Sequence, residues 1–142
     1  MITVRPLLAL SILLLAACGL TASKISPADA ARLVAEGKAV LVDCREPKEW
    51  AEMGVAAPAV LLPKSDFDAE QVQWQKFLAA NQGKQILVYC RSGGRSGTIV
   101  QALAKEGVKA ANVGGMKDWT AAGLPTRAVA APTTESKPAE KE

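Results

Sequence analysis

The segment QILVYCRSGGRSGTIVQAL, residues 85–103, is the most informative stretch of the chain. An apolar, β-branched run predicts a buried strand up to Cys90, and an apolar-spaced run predicts a helix from about Ser96 to Glu106. A loop of Gly, Ser and Arg joins the two. Strand, tight loop and helix in this order are typical of a parallel sheet, whose sites lie beyond the carboxyl ends of its strands.

Strands and helices continue to alternate on both sides of this segment. The predicted elements are a helix with Ser26 as N-cap and Pro27 as first residue, strands at 39–45 and 108–115, and helices at 66–82 and 116–125. This order predicts an α/β fold with a central parallel sheet of about five strands flanked by helices on both faces. Cys44 and Cys90 then lie at the carboxyl ends of two strands.

The composition limits the chemistry of the domain. The chain has 142 residues, of which 49% are hydrophobic, a formal net charge of +3 and no histidine. This length suits a single domain with one core. The lack of histidine excludes His-based acid–base catalysis and a His-ligated metal site, and we expect neither a metal nor a cofactor. The charges form no Lys/Arg block, so nucleic acid is not an expected partner.

The first residues have the features of an export signal. A positive residue, Arg5, precedes an apolar stretch that is too short to span a bilayer comfortably. LAAC (15–18) resembles a bacterial lipobox, which predicts a signal peptide at 1–17, a lipidated Cys18 and a linker at 18–23. Cleavage near Ala22 and an uncleaved anchor are the alternatives. We therefore expect the domain in the periplasm or cell envelope, where the lipobox adds attachment to the membrane through the N-terminal lipid.

The loop after Cys90 is suited to holding an anion. Its glycines allow successive N–H groups to point inward, and the helix that follows adds the positive end of its dipole. Such surroundings lower the pKa of a thiol and favour a nucleophilic thiolate at Cys90. Arg91 and Arg95 are candidates for contacts with a small anionic substrate. A flexible turn beside an ordinary core cysteine is the alternative.

Three motifs resemble those of rhodanese-like sulfurtransferases. CRSGGR (90–95) resembles the active-site loop, in which Arg-x-Gly-x-Arg follows a cysteine. LVDCREPKEW (41–50) resembles an Asp-x-Arg-(x)3-Glu-aromatic segment, and VGGMKDWTAAGLPT (113–126) resembles a closing Gly-Gly-(x)3-Trp-(x)3-Gly-Leu-Pro element. The resemblance implies a rhodanese-like domain at 24–127. It departs from the family pattern at GVAAPA (54–59), where the family has Gly-His-Ile-Pro-Gly-Ala. Beyond the domain, residues 128–142 combine proline with mixed charge and predict a disordered tail.

The resemblance also implies a reaction, that of a thiosulfate sulfurtransferase. Cys90 attacks the outer sulfur of a donor such as thiosulfate, sulfite leaves, and a thiol or cyanide then removes the sulfur from the Cys90 persulfide. The residues expected to bind the donor or the persulfide are Arg91, Ser92, Gly93, Gly94, Arg95 and Ser96. Ser96 is also a candidate for capping the helix. A non-catalytic persulfide carrier is an alternative function.

The length of the loop separates this reaction from phosphate chemistry. Phosphatases of the same fold have a Cys-(x)5-Arg loop, whereas Cys90 and Arg95 form Cys-(x)4-Arg. A shorter ring of N–H groups fits one sulfur better than a tetrahedral phosphate. A phosphatase or arsenate reductase is therefore the less favoured alternative.

The segment around Cys44 has both a structural and a chemical interpretation. The resemblance implies that Asp43 and Arg45 brace the neighbouring loops. Glu46 and Glu49 are also expected to be structural, because charged residues at the ends of strands usually pair or are solvated. Cys44 is either a small buried core residue or, by similarity to the cell-cycle phosphatases of this fold, a redox partner that closes a reversible disulfide with Cys90. Neighbouring parallel strands lie ~4.8 Å apart, which is within the Cα range of a disulfide.

Overall fold

A computed structural model describes residues 22–131 of the chain. The predicted signal peptide, Cys18 and residues 132–142 of the predicted tail lie outside the described residues. Ser23, which the sequence places in the linker, is the first residue of a strand. Within residues 22–131, no helix has the length and apolar character needed to cross a membrane.

The described part of the chain contains seven strands and six helices. The strands are β1 (Ser23–Lys24), β2 (Ala39–Asp43), β3 (Val55–Ala56), β4 (Val60–Leu61), β5 (Gln85–Cys90), β6 (Ala110–Gly115) and β7 (Thr126–Arg127). The helices are α1 (Pro27–Ala35), α2 (Pro47–Met53), α3 (Lys64–Asp68), α4 (Val72–Ala80), α5 (Gly94–Lys105) and α6 (Met116–Ala121). Strands and helices alternate except at the pairs β3–β4 and α3–α4.

Five of the strands form one parallel sheet in the order β1-β6-β5-β2-β4. The predicted fold class is therefore confirmed. β5 is the central strand, and its last residue, Cys90, lies between the carboxyl ends of β2 and β6. The segment 54–59, which departs from the family pattern, begins with β3, and β3 pairs with β7 in a separate antiparallel ribbon.

Each face of the sheet carries its own apolar cluster. Alternate residues of β2 and β5 point to opposite faces, as the two-residue period of a strand requires. One cluster packs Val42 and Val88 against α3, α4 and α5, and it also contains Cys44 and Cys90. The other packs Leu41 and Leu87 against α1 and α6. The two clusters fix β5 from both sides and so fix the position of Cys90.

The predicted helix at 66–82 is wrong, because two helices, α3 and α4, occupy this region. The chain breaks at Gln71, which has a left-handed backbone with φ 57°. The Asp66 carboxylate accepts hydrogen bonds from the backbone N–H groups of Gln73 and Trp74, and it therefore satisfies the free donors at the start of α4. The hydrogen bonds of the Asp66 side chain thus define the start of α4. The spacing of the apolar residues does not reveal them, so it predicted one continuous helix.

Candidate active site

The loop after Cys90 turns directly from β5 into α5. Gly93 is the N-cap of α5, with φ 92°, and the helix begins at Gly94. The predicted start near Ser96 is thus two residues too late, and the predicted capping role of Ser96 is wrong, because Ser96 lies inside the first turn. The backbone N–H of Gly93 points back at the cysteine and donates a hydrogen bond to Cys90 Sγ at 3.1 Å.

The neighbouring strand β6 presses closely on this loop. A Cβ atom added to Gly115 would overlap the backbone carbonyl of Arg91, and one added to Gly93 would lie 3.3 Å from the Cα of Gly114. Only glycine allows this approach of two backbones. The Gly-Gly pair of β6 therefore shapes the cysteine loop from outside.

The surroundings of Cys90 stabilise its thiolate. They lower the pKa of Cys90 to about 4, and the largest cause is a hydrogen bond with the thiol of Cys44. The Ser96 hydroxyl and the backbone N–H groups of Ser96 and Ser92 lower the pKa further, while burial of Cys90 opposes them. Cys90 is 1% exposed, so its sulfur lies at the base of the loop. A sulfur anion in this position is a nucleophile at neutral pH.

Cys44 directly follows the last residue of β2, the strand next to β5, and it lies in the same apolar cluster as Cys90. Asp43 pairs with Tyr89 in the register of β2 and β5, and the backbone N–H of Cys44 donates to the Tyr89 carbonyl at 3.0 Å. Cys44 is fully buried, and neither cysteine is in a disulfide. The hydrogen bond with Cys90, followed by burial, raises the pKa of Cys44 well above its ordinary value, so that Cys44 stays protonated.

Asn112, which is not among the residues that the sequence predicts for the site, ties the loop to β6. Its amide nitrogen donates to the Gly93 carbonyl at 2.9 Å, and its amide oxygen accepts from the Ser96 hydroxyl at 2.8 Å and from the Gly114 N–H at 3.0 Å. The Ser96 oxygen lies farther from Cys90 Sγ, at 3.4 Å. The available signal in the sequence is a polar amide in an otherwise apolar strand, two residues before the glycine pair.

The two arginines of the loop have different surroundings. Arg95 makes a bidentate ion pair with Glu49 of α2, with both N–O distances at 2.7 Å. This contact is the main cause that lowers the pKa of Glu49 to about 2. Arg91 is exposed and has no ion-pair partner among residues 22–131. Arg95 thus holds the loop to α2, and Arg91 is the arginine that faces solvent.

Asp43 and Arg45 form a fully buried ion pair at the end of β2. Arg45 Nη2 lies 2.6 Å from Asp43 Oδ2, and both side chains are 0% exposed. The same nitrogen donates to the Gly54 carbonyl at 2.7 Å, and the guanidinium lies 5.8 Å from the centroid of the Tyr89 ring. The pair joins β2, β5 and the turn before β3. Its two residues flank Cys44 in the sequence.

The chain is similar to known proteins in both sequence and fold. An uncharacterized protein of Synechocystis sp. is 35% identical over 104 residues, which are 72% of this chain and 54% of that protein. The chain thus matches about half of the length of that relative. The protein named "Putative sulfurtransferase YtwF" of Bacillus subtilis is 33% identical over 89 residues, which are 62% of this chain and 80% of that protein.

The fold and a family sequence model both relate the chain to rhodanese-like proteins. The crystal structure of a rhodanese-related protein from Thermoplasma volcanium superposes with a TM-score of 0.61 and 25% identity, and the match covers 74% of this chain and 97% of that one. The sequence model of the family described as "Rhodanese-like domain" matches residues 26–122, which include the cysteine loop and the paired strands around it. On this evidence, the chain belongs to the rhodanese-like domain family.

Proposed function

We propose that the chain is a sulfurtransferase that moves a sulfane sulfur from an anionic donor such as thiosulfate to a thiol or cyanide. The observation that carries this proposal is the set of donors around Cys90 Sγ, which keep the sulfur anionic at the base of a loop of N–H groups. Membership of the rhodanese-like family and the similarity to a protein named as a sulfurtransferase support the same reaction class.

The reaction follows from the charge on Cys90. The thiolate attacks the outer sulfur of thiosulfate, a bond forms between the two sulfur atoms, and the electron pair of the broken bond leaves with sulfite. The persulfide anion that results needs donors, which the Gly93 N–H and the Ser96 side chain supply near Sγ. Cyanide or a thiolate then attacks the outer sulfur and restores the Cys90 thiolate. No general base is required, which agrees with a chain that lacks histidine.

The loop arginines have separate parts in this proposal. Arg91 is exposed at the loop, and we assign it the contact with the donor anion. Arg95 holds the loop in place through its ion pair with Glu49. Because Glu49 already neutralises its charge, we expect Arg95 to attract the donor less than Arg91 does. Ser92, Gly93, Gly94 and Ser96 present their backbone N–H groups to the transferred sulfur.

The assay that tests the proposal combines thiosulfate and cyanide with the full chain and follows thiocyanate, in parallel with Cys90→Ser. We expect thiocyanate from the unaltered protein and at least about a thousandfold less from the variant, because covalent catalysis is lost with the nucleophile. Persulfide formation without thiocyanate would favour the sulfur carrier. Hydrolysis of an aryl phosphate without any sulfur transfer would replace the proposal with a phosphatase.

A further inference from the structure

We propose that Cys44 attacks the inner sulfur of the Cys90 persulfide, forms a Cys44–Cys90 disulfide and releases sulfide. The protein would then release the sulfur that it takes from a donor in two ways: by transfer to an external acceptor, or as sulfide. This step rests on the proposed function, because it requires a persulfide on Cys90.

The sheet brings the two sulfur atoms together. Both cysteines belong to the apolar cluster on the same face, and they extend the parallel register of β2 and β5 by one residue beyond the Asp43–Tyr89 pair. The hydrogen bond from the Cys44 N–H to the Tyr89 carbonyl fixes the backbone of Cys44 at this position. Backbones at this spacing lie within the Cα range of a disulfide.

Burial selects the sulfur that Cys44 can reach. Cys44 has no exposed surface, and it lies beside the Cys90 side chain inside the domain. The Gly93 N–H and the Ser96 hydroxyl contact Sγ, which becomes the inner sulfur of the persulfide. The outer sulfur would extend from Sγ into the loop of N–H groups, away from the buried side on which Cys44 lies. Attack from Cys44 therefore meets the inner sulfur first. The same loop donors stabilise the negative charge that develops on the departing sulfur.

The protonation states of the two cysteines set the order of events. While Cys90 is a thiolate, its hydrogen bond and its charge keep the Cys44 thiol protonated by raising the pKa of Cys44. Once Cys90 carries the additional sulfur, the anionic charge moves outward from Sγ and these two causes weaken. Burial and the charge of Asp43 continue to raise the pKa of Cys44, but the two contributions of Cys90 no longer do so to the same extent. Cys44 is therefore a better nucleophile after the donor has reacted than before.

The atoms and electrons of the step balance without an oxidant. The Cys90 persulfide and the Cys44 thiol give the Cys90–Cys44 disulfide and hydrogen sulfide: one S–S bond forms, one breaks, and the Cys44 proton leaves with sulfide. The donor supplies the oxidised sulfur. A dithiol reductant is the co-reactant that returns both cysteines to thiols for another cycle.

The test uses the full chain with Cys18→Ser in every sample, so that Cys44 and Cys90 are the only cysteines. The reduced protein, freed of reductant and kept without air, is mixed with thiosulfate and no acceptor. The measurements are sulfite, sulfide and the intact mass under non-reducing conditions. The matched variants are Cys44→Ala and Cys44→Ser, the second of which keeps a hydrogen-bond donor next to Cys90.

With Cys44 present, we expect equal amounts of sulfite and sulfide, and a monomer that has lost two hydrogens. With either variant, we expect a retained additional sulfur on Cys90 and at least about tenfold less sulfide for each sulfite released, because the internal nucleophile is absent. A persulfide that remains in the presence of Cys44, or equal sulfide from the variants, would overturn the inference while leaving the proposed function intact. If none of the proteins releases sulfite, the proposed function fails and the inference fails with it.

Discussion

The reactivity of Cys90 depends on donors from three segments of the chain. Cys44 contributes from the neighbouring strand, Gly93 from the loop, and Ser96 from the first turn of α5. Burial alone would raise the pKa of a thiol, so these contacts must outweigh a real penalty. The charge on the sulfur is therefore a property of the folded domain, and it should disappear when the chain unfolds.

The pH dependence of alkylation tests this charge. Because the pKa of Cys90 is about 4, the rate constant for iodoacetamide should rise as pH increases through about 4 and should then stay flat through neutrality. A free cysteine would instead gain reactivity through about pH 8.5. The measurement is the rate of alkylation across this range, with the alkylated peptide identified at Cys90.

The Cys44→Ala variant removes the largest cause that lowers the pKa of Cys90, so the rise should move to higher pH. We expect a rate constant at pH 5 that is at least about tenfold lower than that of the unaltered protein. Cys44→Ser keeps a donor and should fall between the two. An identical pH profile for all three proteins would contradict the assigned contribution of Cys44.

Mild oxidation is a second route to a Cys44–Cys90 disulfide. It tests the hypothesis from the sequence that Cys44 is a redox partner of Cys90. Hydrogen peroxide converts Cys90 to a sulfenic acid, Cys44 attacks its sulfur, and water leaves. Peptide mapping of the unreduced protein should therefore find a Cys44–Cys90 crosslink, while Cys44→Ala should proceed to Cys90 sulfinic acid. Finding the sulfinic acid in the unaltered protein and never the crosslink would exclude this protective role.

The position of the cysteine loop depends on a close contact with β6. Asn112 of β6 pairs with Val88 of β5, and a register shift directly after this pair places Gly114 opposite Tyr89 and Gly115 opposite Cys90. Asn112 holds the loop by hydrogen bonds, and the glycines allow the backbones to touch. The position of the loop thus depends on a strand that is distant from it in sequence.

Gly115→Ala tests this contact. The added Cβ would overlap the Arg91 carbonyl, so we expect the free energy of unfolding to fall by about 1–3 kcal/mol and the alkylation of Cys90 to lose its flat region at neutral pH. Urea unfolding and the alkylation assay are the measurements. Gly94→Ala is the control for stability, because nothing lies within 4 Å of its added Cβ and Gly94 begins a helix. It should leave stability unchanged or raise it by up to about 1 kcal/mol.

The elements also show what sequence patterns could predict. The long central strands β2 and β5 were predictable because each is a run of buried apolar residues at the core of the sheet. The strands β1 and β7 have two residues each, which is too few to show a period, and only their pairing partners define them. The break at Gln71 depends on the Asp66 side chain, which no hydrophobic pattern records.

The candidate site divides in the same way. Cys90 and its loop were predictable because they are contiguous and chemically distinctive. The contacts of Asn112 with Ser96 and of Glu49 with Arg95 join segments that are 16 and 46 residues apart, and they exist only after the sheet has formed. The sequence motif was enough to single out Cys90 as the candidate nucleophile, whereas the groups that orient its loop are found only from the fold.

In the whole molecule, the buried pair of Asp43 and Arg45 connects the parallel sheet to the smaller ribbon. Arg45 contacts Asp43 of β2, the Gly54 carbonyl before β3 and the ring of Tyr89. The Tyr89 hydroxyl in turn accepts a hydrogen bond from the Ala56 N–H at 2.9 Å. A buried ion pair, and not an apolar contact, therefore connects β2, the turn before β3 and β5, the strand that ends at Cys90.

Asp43→Ala should destabilise the whole domain by about 3–5 kcal/mol, because it leaves the Arg45 charge buried without a counterion. Urea unfolding measures the change, and secondary structure and the alkylation of Cys90 at pH 5 should be lost in one transition, because the contacts that lower the pKa of Cys90 exist only in the folded domain. Glu52→Ala, which removes the exposed pair with Lys48, is the control and should change stability by less than about 1 kcal/mol. Equal stability of the two variants would contradict the structural role of the buried pair.

The pairing of Arg95 with Glu49 also affects how a substrate approaches. Glu49 neutralises one of the two loop guanidinium groups, which leaves Arg91 as the loop arginine without an ion-pair partner among residues 22–131. The loop arginines therefore add about one unpaired positive charge, instead of two, to the long-range attraction of an anion. For the anionic donor that we propose, the dependence of the encounter rate on ionic strength should be weaker than two free arginines would produce.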